Sequence, residues 1–495
     1  MEKTQIYLDP HFSIAEVDRR IFGSFLEHLG RAVYQGVYQP SSKHADEDGL
    51  RIDVLKALSR LGVSIVRYPG GNFASGYHWI DGIGPKQDRP TVRELAWQST
   101  ETNQFGTDEF MRLCSKMSWR PMMTVNLGTG TPEEARNWVE YCNCPKGTKF
   151  ADLRVSNGFE EPHGVKLWCL GNEMDAPWQL GHVPAEQYAL RAQQAAKMMR
   201  DVDHSIELVV AGSCLPSMET YMDWDRIVLE YLGEYADYIG FHRYVGNQLN
   251  DTADYLAISN SIDKQIEEMN AVCSYVQARK RSRKRTYLCF DEWNVWYKNQ
   301  VKDGSGKHAP HLLEERYNLE DALVVAGFLL SFIRHADVLK IANIAQLVNV
   351  IAPILTDGER CLVQSIYWPF AMISETAHGV ALRTVSEGPS YVSPSYGDTL
   401  FVDSAAVLEG DTIRIFLINR SMDESAEIEL RPTHIQIQRA KTAALLTGND
   451  SKLENSFEKP NEIEPREMEE ISVKDGAAKI EIPPLAFASI TFQIS

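Results

Sequence analysis

Two short segments carry the residues best suited to chemistry. Trp168-Cys169-Leu170-Gly171-Asn172-Glu173 is mostly apolar and ends in Asn-Glu; Leu288-Cys289-Phe290-Asp291-Glu292-Trp293-Asn294 holds a second glutamate near its end. Two facing carboxylates can cleave a glycosidic bond. One donates a proton to the leaving oxygen, and the other attacks the anomeric carbon or activates water. Like charges held close also raise one pKa, which keeps an acid protonated near neutral pH. Taken singly, Glu173 reads as a loop or helix-start carboxylate, and Glu292, next to Asp291, as a loop charge. A fold that brings them together is what makes them catalytic candidates.

The surrounding pattern supplies such a fold. Between residue 21 and about residue 379, short apolar runs alternate with longer amphipathic ones. The strand-like runs are residues 21–29, 64–71, 120–128, 165–173, 207–214, 238–246, 286–294 and 339–349. Helix-like stretches follow at 51–61, 107–118, 132–142, 184–202, 220–232, 253–279, 319–335 and 365–378. Most strand-like runs are apolar on both faces, as in a parallel sheet covered by helices. Eight βα units predict a (β/α)8 TIM barrel of the α/β class, with its chemistry at the C-terminal strand ends. Glu27, Arg67, Asn126, Asn172, Glu173, His242, Tyr244, Glu292 and Gln346 fall at those ends. So many polar groups at one end are hard to explain as core filling, because isolated buried charge is costly. With Glu292 facing inward, strand alternation would send Asp291 back between strand and helix. Residues 297–317, rich in Gly, Lys and His, follow the seventh strand and should overhang the active face.

After residue 379, residues 412–419, 426–430, 434–438 and 480–482 alternate apolar and polar side chains between turns. This predicts a C-terminal antiparallel β-sandwich. Residues 5–14 also read as strand and would add to it. The expected division is 1–18 joining the sandwich, 19–379 the barrel, and 380–495 the sandwich. Residues 449–475, acidic and interrupted by Pro, read as a surface loop.

Other features bound the function. Arg67-Tyr68-Pro69-Gly70-Gly71-Asn72 is a Gly-rich turn without phosphate-loop spacing. Trp79, Trp97, Trp178 and Trp296 follow strands, where aromatic rings could carry the apolar faces of sugars. His242 and Tyr244 share a strand face, and the tyrosine hydroxyl could hold the nucleophile. His308 and His311 could in principle bind a metal, but no carboxylate spacing supports such a site. The basic run 279–285 sits at a helix C-terminus that favours cations, and reads as a solvated cap. A net charge of -18 argues against nucleic acid and anionic membranes as partners. The longest apolar run, 322–333, is too short to span a bilayer, and no secretory signal is visible. The eight scattered cysteines fit a reduced, cytoplasmic setting.

Several segments together resemble the α-L-arabinofuranosidases of glycoside hydrolase family 51 over essentially the whole chain. They are Phe22-Gly23-Ser24-Phe25-Leu26-Glu27-His28, Arg67 through Phe73, Thr102-Asn103-Gln104-Phe105-Gly106, Gly171-Asn172-Glu173-Met174, Asp291 through Trp296, and Ala345-Gln346-Leu347-Val348-Asn349. The resemblance implies a barrel with a C-terminal β-sandwich and retention through a covalent glycosyl-enzyme. It makes Glu173 the acid/base and Glu292 the nucleophile. It places Glu27, Arg67, Asn72, Asn172, Tyr244 and Gln346 around a terminal furanose, with Trp97, His242 and Trp296 as neighbours. It implies arabinose-containing oligosaccharides as substrates, no cofactor, a cytoplasmic location and a homo-oligomer, often a hexamer. A related barrel glycosidase (β-xylosidase or endo-β-glucanase) and a non-catalytic carbohydrate-binding protein are the alternatives.

Overall fold

Eight parallel strands close into a barrel: Gly23–Phe25, Ile65–Tyr68, Arg120–Val125, Leu167–Leu170, Glu207–Ala211, Tyr238–Val245, Tyr287–Val295 and Leu339–Ile344. They are numbered one to eight below. The computed structural model describes residues 3–469 and 471–495. Met1 and Glu2, in the expected segment 1–18, and Glu470, in the expected loop 449–475, lie outside the described residues. Strand one is shorter than expected because Arg19–Phe22 forms a 3-10 turn opened by the Asp18 side chain.

The barrel interior is filled. Ile65, Met122, Leu167, Cys169, Val209, Cys289 and Ile341 form a buried apolar layer below the strand ends. Helices cover the outside, which explains why the strands read as apolar throughout. Their ends follow local chemistry. Thr131 caps Pro132–Asn143 by accepting the Glu134 N–H, with proline at the first helical position. Gly62, at φ 79°, closes Ile52–Leu61 in the left-handed conformation that costs glycine least. The expected helix 253–279 is two, Thr252–Leu256 and Ser259–Lys280. An additional helix, Lys149–Ser156, has little amphipathic pattern to announce it.

The C-terminal domain is built on one hydrogen-bonded sheet of ten strands. Neighbours are antiparallel, except that Thr4–Glu16 runs parallel to Ala426–Pro432. Ile428 and Ile480 from one part of the sheet share an apolar core with Ile415, Leu445 and Ile490 from another. The sheet therefore folds over on itself into two layers. The expected loop 449–475 contains two short strands, Arg466–Glu467 and Ile471–Lys474. Its first part packs on the barrel: Leu319 and Glu320 donate their N–H groups to the Leu453 and Ser451 carbonyls.

The helix Leu319–Arg334 joins the two domains and is buried along nearly its whole length. A helix apolar all round belongs in an interior. Phe328 stacks on Trp293 of strand seven, with ring centroids 4.9 Å apart, while Ala405, Val407 and Phe416 of the sandwich lie in the same core. Arg334 pairs with Asp403 at 2.9 Å and with Asp263 at 2.8 Å. No helix among the described residues is long and apolar enough to cross a membrane. All eight cysteines are unpaired.

Because Phe328 joins these layers, Phe328→Ala should destabilise the protein by about 3–5 kcal/mol. Denaturant unfolding would measure this, and a loss below about 1 kcal/mol would contradict the packing.

Candidate active site

At the C-terminal end of the barrel, Glu173 follows strand four and Glu292 lies within strand seven. Both are buried. The Glu173 backbone is left-handed at φ 46°, a conformation costing a non-glycine residue about 1–3 kcal/mol. This turns its side chain out of the strand direction. His242 Nδ1 lies 2.9 Å from Glu173 Oε1 and 3.6 Å from Glu292 Oε2. Oxygens of the two glutamates approach within 4.8 Å.

Each Glu292 oxygen has its own donor. Arg67 Nη1 bonds Oε1 at 2.6 Å, and the Tyr244 hydroxyl donates to Oε2 at 2.8 Å. Arg67 Nη2 donates to Asn172 Oδ1 at 2.7 Å, and Asn172 Nδ2 reaches Asn72 Oδ1 at 3.3 Å. A Cβ on Gly71 would stand 2.6 Å from Glu292 Oε1. Only glycine lets the backbone come this close to the carboxylate.

Glu27 forms a second polar centre. Its Oε1 accepts the Phe73 N–H at 2.9 Å and Trp97 Nε1 at 3.1 Å. Gln346 Nε2 donates to Oε2 at 3.3 Å, while Gln346 Oε1 accepts the Glu27 N–H at 3.1 Å. On the other side, Trp178 Nε1 donates to Glu173 Oε2 at 2.7 Å from a largely exposed ring.

These side chains surround a pocket of about 320 Å³. Glu27, Asn72, Trp97, Glu173, Tyr244, Glu292, Trp296 and Gln346 line it. Arg67 and His242 lie behind the carboxylates they bond, and Asn172 lies behind them on Arg67. Trp178 and Lys302 also line the pocket. Lys302 comes from the insertion 297–317 and sits 4.4 Å from the Trp296 ring centre. That insertion is tied down over the active face. Glu315 accepts the N–H groups of Tyr297, Lys298 and Asn299, and Arg31 clamps Glu314.

Some expected polar groups serve structure instead. Asn126 Oδ1 accepts the N–H groups of Gly128, Thr129 and Gly130, shaping its own loop. Trp79 is buried and stacked on Trp138. His311 pairs with Glu314, and the basic run pairs with Glu230 and Asp237 of neighbouring segments.

Asp291 overturns the expectation from alternation. Cys289 pairs with Gly240, but Glu292 pairs with His242, so two residues of strand seven oppose Phe241 alone. This is a β-bulge. Phe290 and Trp293 both turn outward onto Phe328. Asp291 and Glu292 consequently both face inward. Asp291 Oδ1 lies 3.4 Å from His242 Nε2, and Oδ2 lies 3.6 Å from Arg67 Nη2. Consecutive residues on one face could not be read from a period of two.

The electrostatics also differ from expectation. Burial and the negative charge of Glu292 raise Glu27 to about 8, so Glu27 is the carboxyl lifted by its neighbours. Burial works to raise Glu173 too, but the bond and charge of His242 outweigh it and hold Glu173 low. His242 is itself raised well above its ordinary value. Burial opposes its charge, yet Glu292, Asp291 and Glu173 overcome that. Among the described residues, two His/carboxylate groups have atoms close enough to hold an ion. One is Glu173, His242 and Glu292; the other is Asp9, His11 and His434 on the sandwich. In both, the histidine nitrogens already lie within hydrogen-bond distance of carboxylate oxygens.

A barrel carrying two close carboxylates on strands four and seven, within a polar and aromatic pocket, belongs to the class of barrel glycoside hydrolases. Sequence comparison narrows the class. Residues 57–262 match the family model "Alpha-L-arabinofuranosidase 1 domain", and residues 291–486 match "Alpha-L-arabinofuranosidase C-terminal domain". The chain is 44% identical over 486 residues to an intracellular exo-α-(1→5)-L-arabinofuranosidase of Acetivibrio thermocellus, covering 96% of each. It is 47% identical over 438 residues to the Bacillus subtilis intracellular exo-α-(1→5)-L-arabinofuranosidase 1, covering 87% of this chain and 88% of the relative. A solved family 51 α-L-arabinofuranosidase from Bifidobacterium longum superposes with TM-score 0.96 at 36% identity, covering 100% of both chains. The chain belongs to the family 51 α-L-arabinofuranosidases.

The Tyr244 bond to Glu292 is open to direct test. A hydrogen bond to a charged group contributes about 1.5–3 kcal/mol. Tyr244→Phe should therefore lower kcat/KM by about 10- to 100-fold with the fold intact. A change under threefold in steady-state kinetics would remove Tyr244 from the support of Glu292.

Proposed function

We propose that this protein is a retaining, exo-acting α-L-arabinofuranosidase, with Glu292 as nucleophile and Glu173 as acid/base. The close approach of the two glutamates, within 4.8 Å between oxygens, carries this reading. Retaining enzymes hold their carboxyls about 5–5.5 Å apart, whereas inverting ones need about 6.5–9.5 Å to admit water. Arg67 and Tyr244 orient Glu292 for attack on the anomeric carbon. Glu173 protonates the departing oxygen. A glycosyl-enzyme forms through Glu292, and Glu173, now a base, activates water to release the sugar with retained configuration. The chemistry needs no cofactor.

The substrate is a terminal arabinofuranosyl group of an arabinose-containing oligosaccharide. A confined pocket suits one terminal sugar better than the middle of a chain. Glu27, Asn72 and Gln346 would hold its hydroxyls, with Trp97, Trp178 and Trp296 against its apolar surfaces and the departing group. Arg67, Asn172 and His242 act one layer back. The α-(1→5) linkage named for two relatives is the first to try. The division 1–18, 19–379 and 380–495, a homo-oligomeric (hexameric) assembly and a cytoplasmic location complete the reading. Relatives named as intracellular and eight unpaired cysteines support the location.

Two experiments test this. First, kcat/KM on α-L-arabinofuranosides should greatly exceed that on β-D-xylopyranosides, because a misplaced hydroxyl leaves buried partners unmet. Equal values, or cleavage inside unsubstituted β-glucan, would favour another glycosidase. Second, Glu292→Ala should lose activity on every substrate, with azide giving a glycosyl azide of inverted configuration. Glu173→Ala should still react with aryl arabinofuranosides of low leaving-group pKa, accumulate the covalent intermediate, and be accelerated by azide with retained configuration. NMR of the azide products assigns the roles, and exchanged configurations would reverse them.

A further inference from the structure

Asp291 is buried beside the nucleophile, and the double-displacement chemistry described above gives it no part. Its position is nevertheless specified. The bulge in strand seven turns it inward together with Glu292. Gly240 on strand six makes room, since a Cβ there would lie 2.6 Å from Asp291 Oδ1. Oδ1 has no hydrogen-bond partner of its own and is aimed at His242 Nε2, 3.4 Å away. The other ring nitrogen of His242 lies 2.9 Å from Glu173 Oε1. Asp291, His242 and Glu173 thus form a line, with the imidazole between two carboxylates.

We propose that Asp291 is a positioning residue that fixes the tautomer of His242, so that Glu173 and His242 share the single proton used in catalysis. This rests on Glu173 being the acid/base. A carboxylate opposite Nε2 keeps the proton of that nitrogen in place. Nδ1 is then the exchange position. Either it is protonated and donates to the Glu173 carboxylate, or it is bare and accepts from the Glu173 acid. Total charge is the same in both arrangements. During glycoside cleavage the pair gives one proton to the leaving oxygen, leaving Glu173 as carboxylate and His242 neutral. Water attacking the glycosyl-enzyme returns that proton, and its hydroxyl stays on the sugar.

This arrangement accounts for an acid whose own carboxyl is held low. The proton titrates with the pair and not with Glu173 alone. The groups facing the pair are Asp291 and Glu292 from strand seven, Arg67 from strand two, Asp175 and Cys214 from the segments after strands four and five, and Lys302 from the insertion. Tyr244 and Glu27 stand across the pocket. Asp291 is held ionised: burial opposes this, but the charges of Arg67 and His242 prevail. Its negative charge strengthens the hold of the pair on the proton. Removing that charge must make the proton leave at lower pH.

The test is the pH dependence of kcat/KM for Asp291→Asn on two substrates, an aryl arabinofuranoside of low leaving-group pKa and an arabino-oligosaccharide. Only the oligosaccharide needs the proton in the first step. Its alkaline limb should move down by about one pH unit or more, while the alkaline limb for the aryl substrate stays in place. Ionisation of Glu27 would affect both substrates alike, so it cannot imitate this result. Equal losses on both substrates without a limb shift would leave Asp291 only structural and overturn the proposal. If Asp291→Asn does not fold, His242→Gln serves the same comparison, because an amide can bond Glu173 without carrying the proton. An unmoved oligosaccharide limb there is equally fatal. The Glu173→Ala azide result decides separately whether Glu173 is the acid/base, so the two readings can fail independently.

Discussion

Burial of negative charge is the constraint on which the site depends. Glu27, Glu173, Asp291 and Glu292 are all buried at one end of the barrel, with Arg67 and His242 as the cations among them. Unpaired, such charges would be driven neutral or would unfold their surroundings. Each is therefore given a specific answer. Glu292 has Arg67 and the Tyr244 hydroxyl, and Asp291 has Arg67 and His242. Glu173 has His242 and the Trp178 indole. Glu27, supplied only with neutral donors and facing Glu292, has its carboxyl raised to about 8. The two cations serve several anions each, which couples the members of the cluster.

Holding that cluster requires rigid surroundings. Strand seven carries Asp291 and Glu292 inward while its outward Phe290 and Trp293 press on Phe328. The helix bearing Phe328 is covered in turn by the sandwich sheet and anchored through Arg334 to Asp403. The sandwich thus buttresses the strand that presents the nucleophile. On the open side, Glu315 gathers three N–H groups of the insertion, and Arg31 grips Glu314. A loop rich in glycine and lysine becomes a fixed pocket wall carrying Lys302 and Leu313.

Much of this was legible in the chain before any coordinates. Seven of the eight barrel strands lie within the expected runs, and strand seven passes its run by one residue. Most of those runs read as apolar on both faces because a parallel sheet covered by helices is buried on both sides. Counting those runs placed Glu173 and Glu292 at the same end of the barrel. The change to two-residue alternation after residue 379 marked the sheet domain, because one face of such a sheet meets water. Capping residues such as Thr131 and Gly62 marked helix ends through local hydrogen bonding alone. These features share a cause: they depend on periodicity or on neighbours a few positions away.

What tertiary structure alone decided depends on contacts between distant segments. The bulge that turns Asp291 inward arises from pairing with strand six and from packing of Phe290 and Trp293 on Phe328, so alternation pointed it the wrong way. Whether a strand-end polar group meets the pocket, backs a carboxylate or caps a loop was equally hidden. Glu27 lines the pocket, Arg67 lies behind Glu292, and Asn126 closes its own turn. Proton positions were decided in the same way. Like charge was expected to raise the acid, but His242 reaches Glu173 from strand six, and the rise falls on Glu27. Residue order determines which groups arrive at the barrel mouth. Their ionisation is set by distances of a few ångströms between strands far apart in the chain, where low dielectric makes each pairing count.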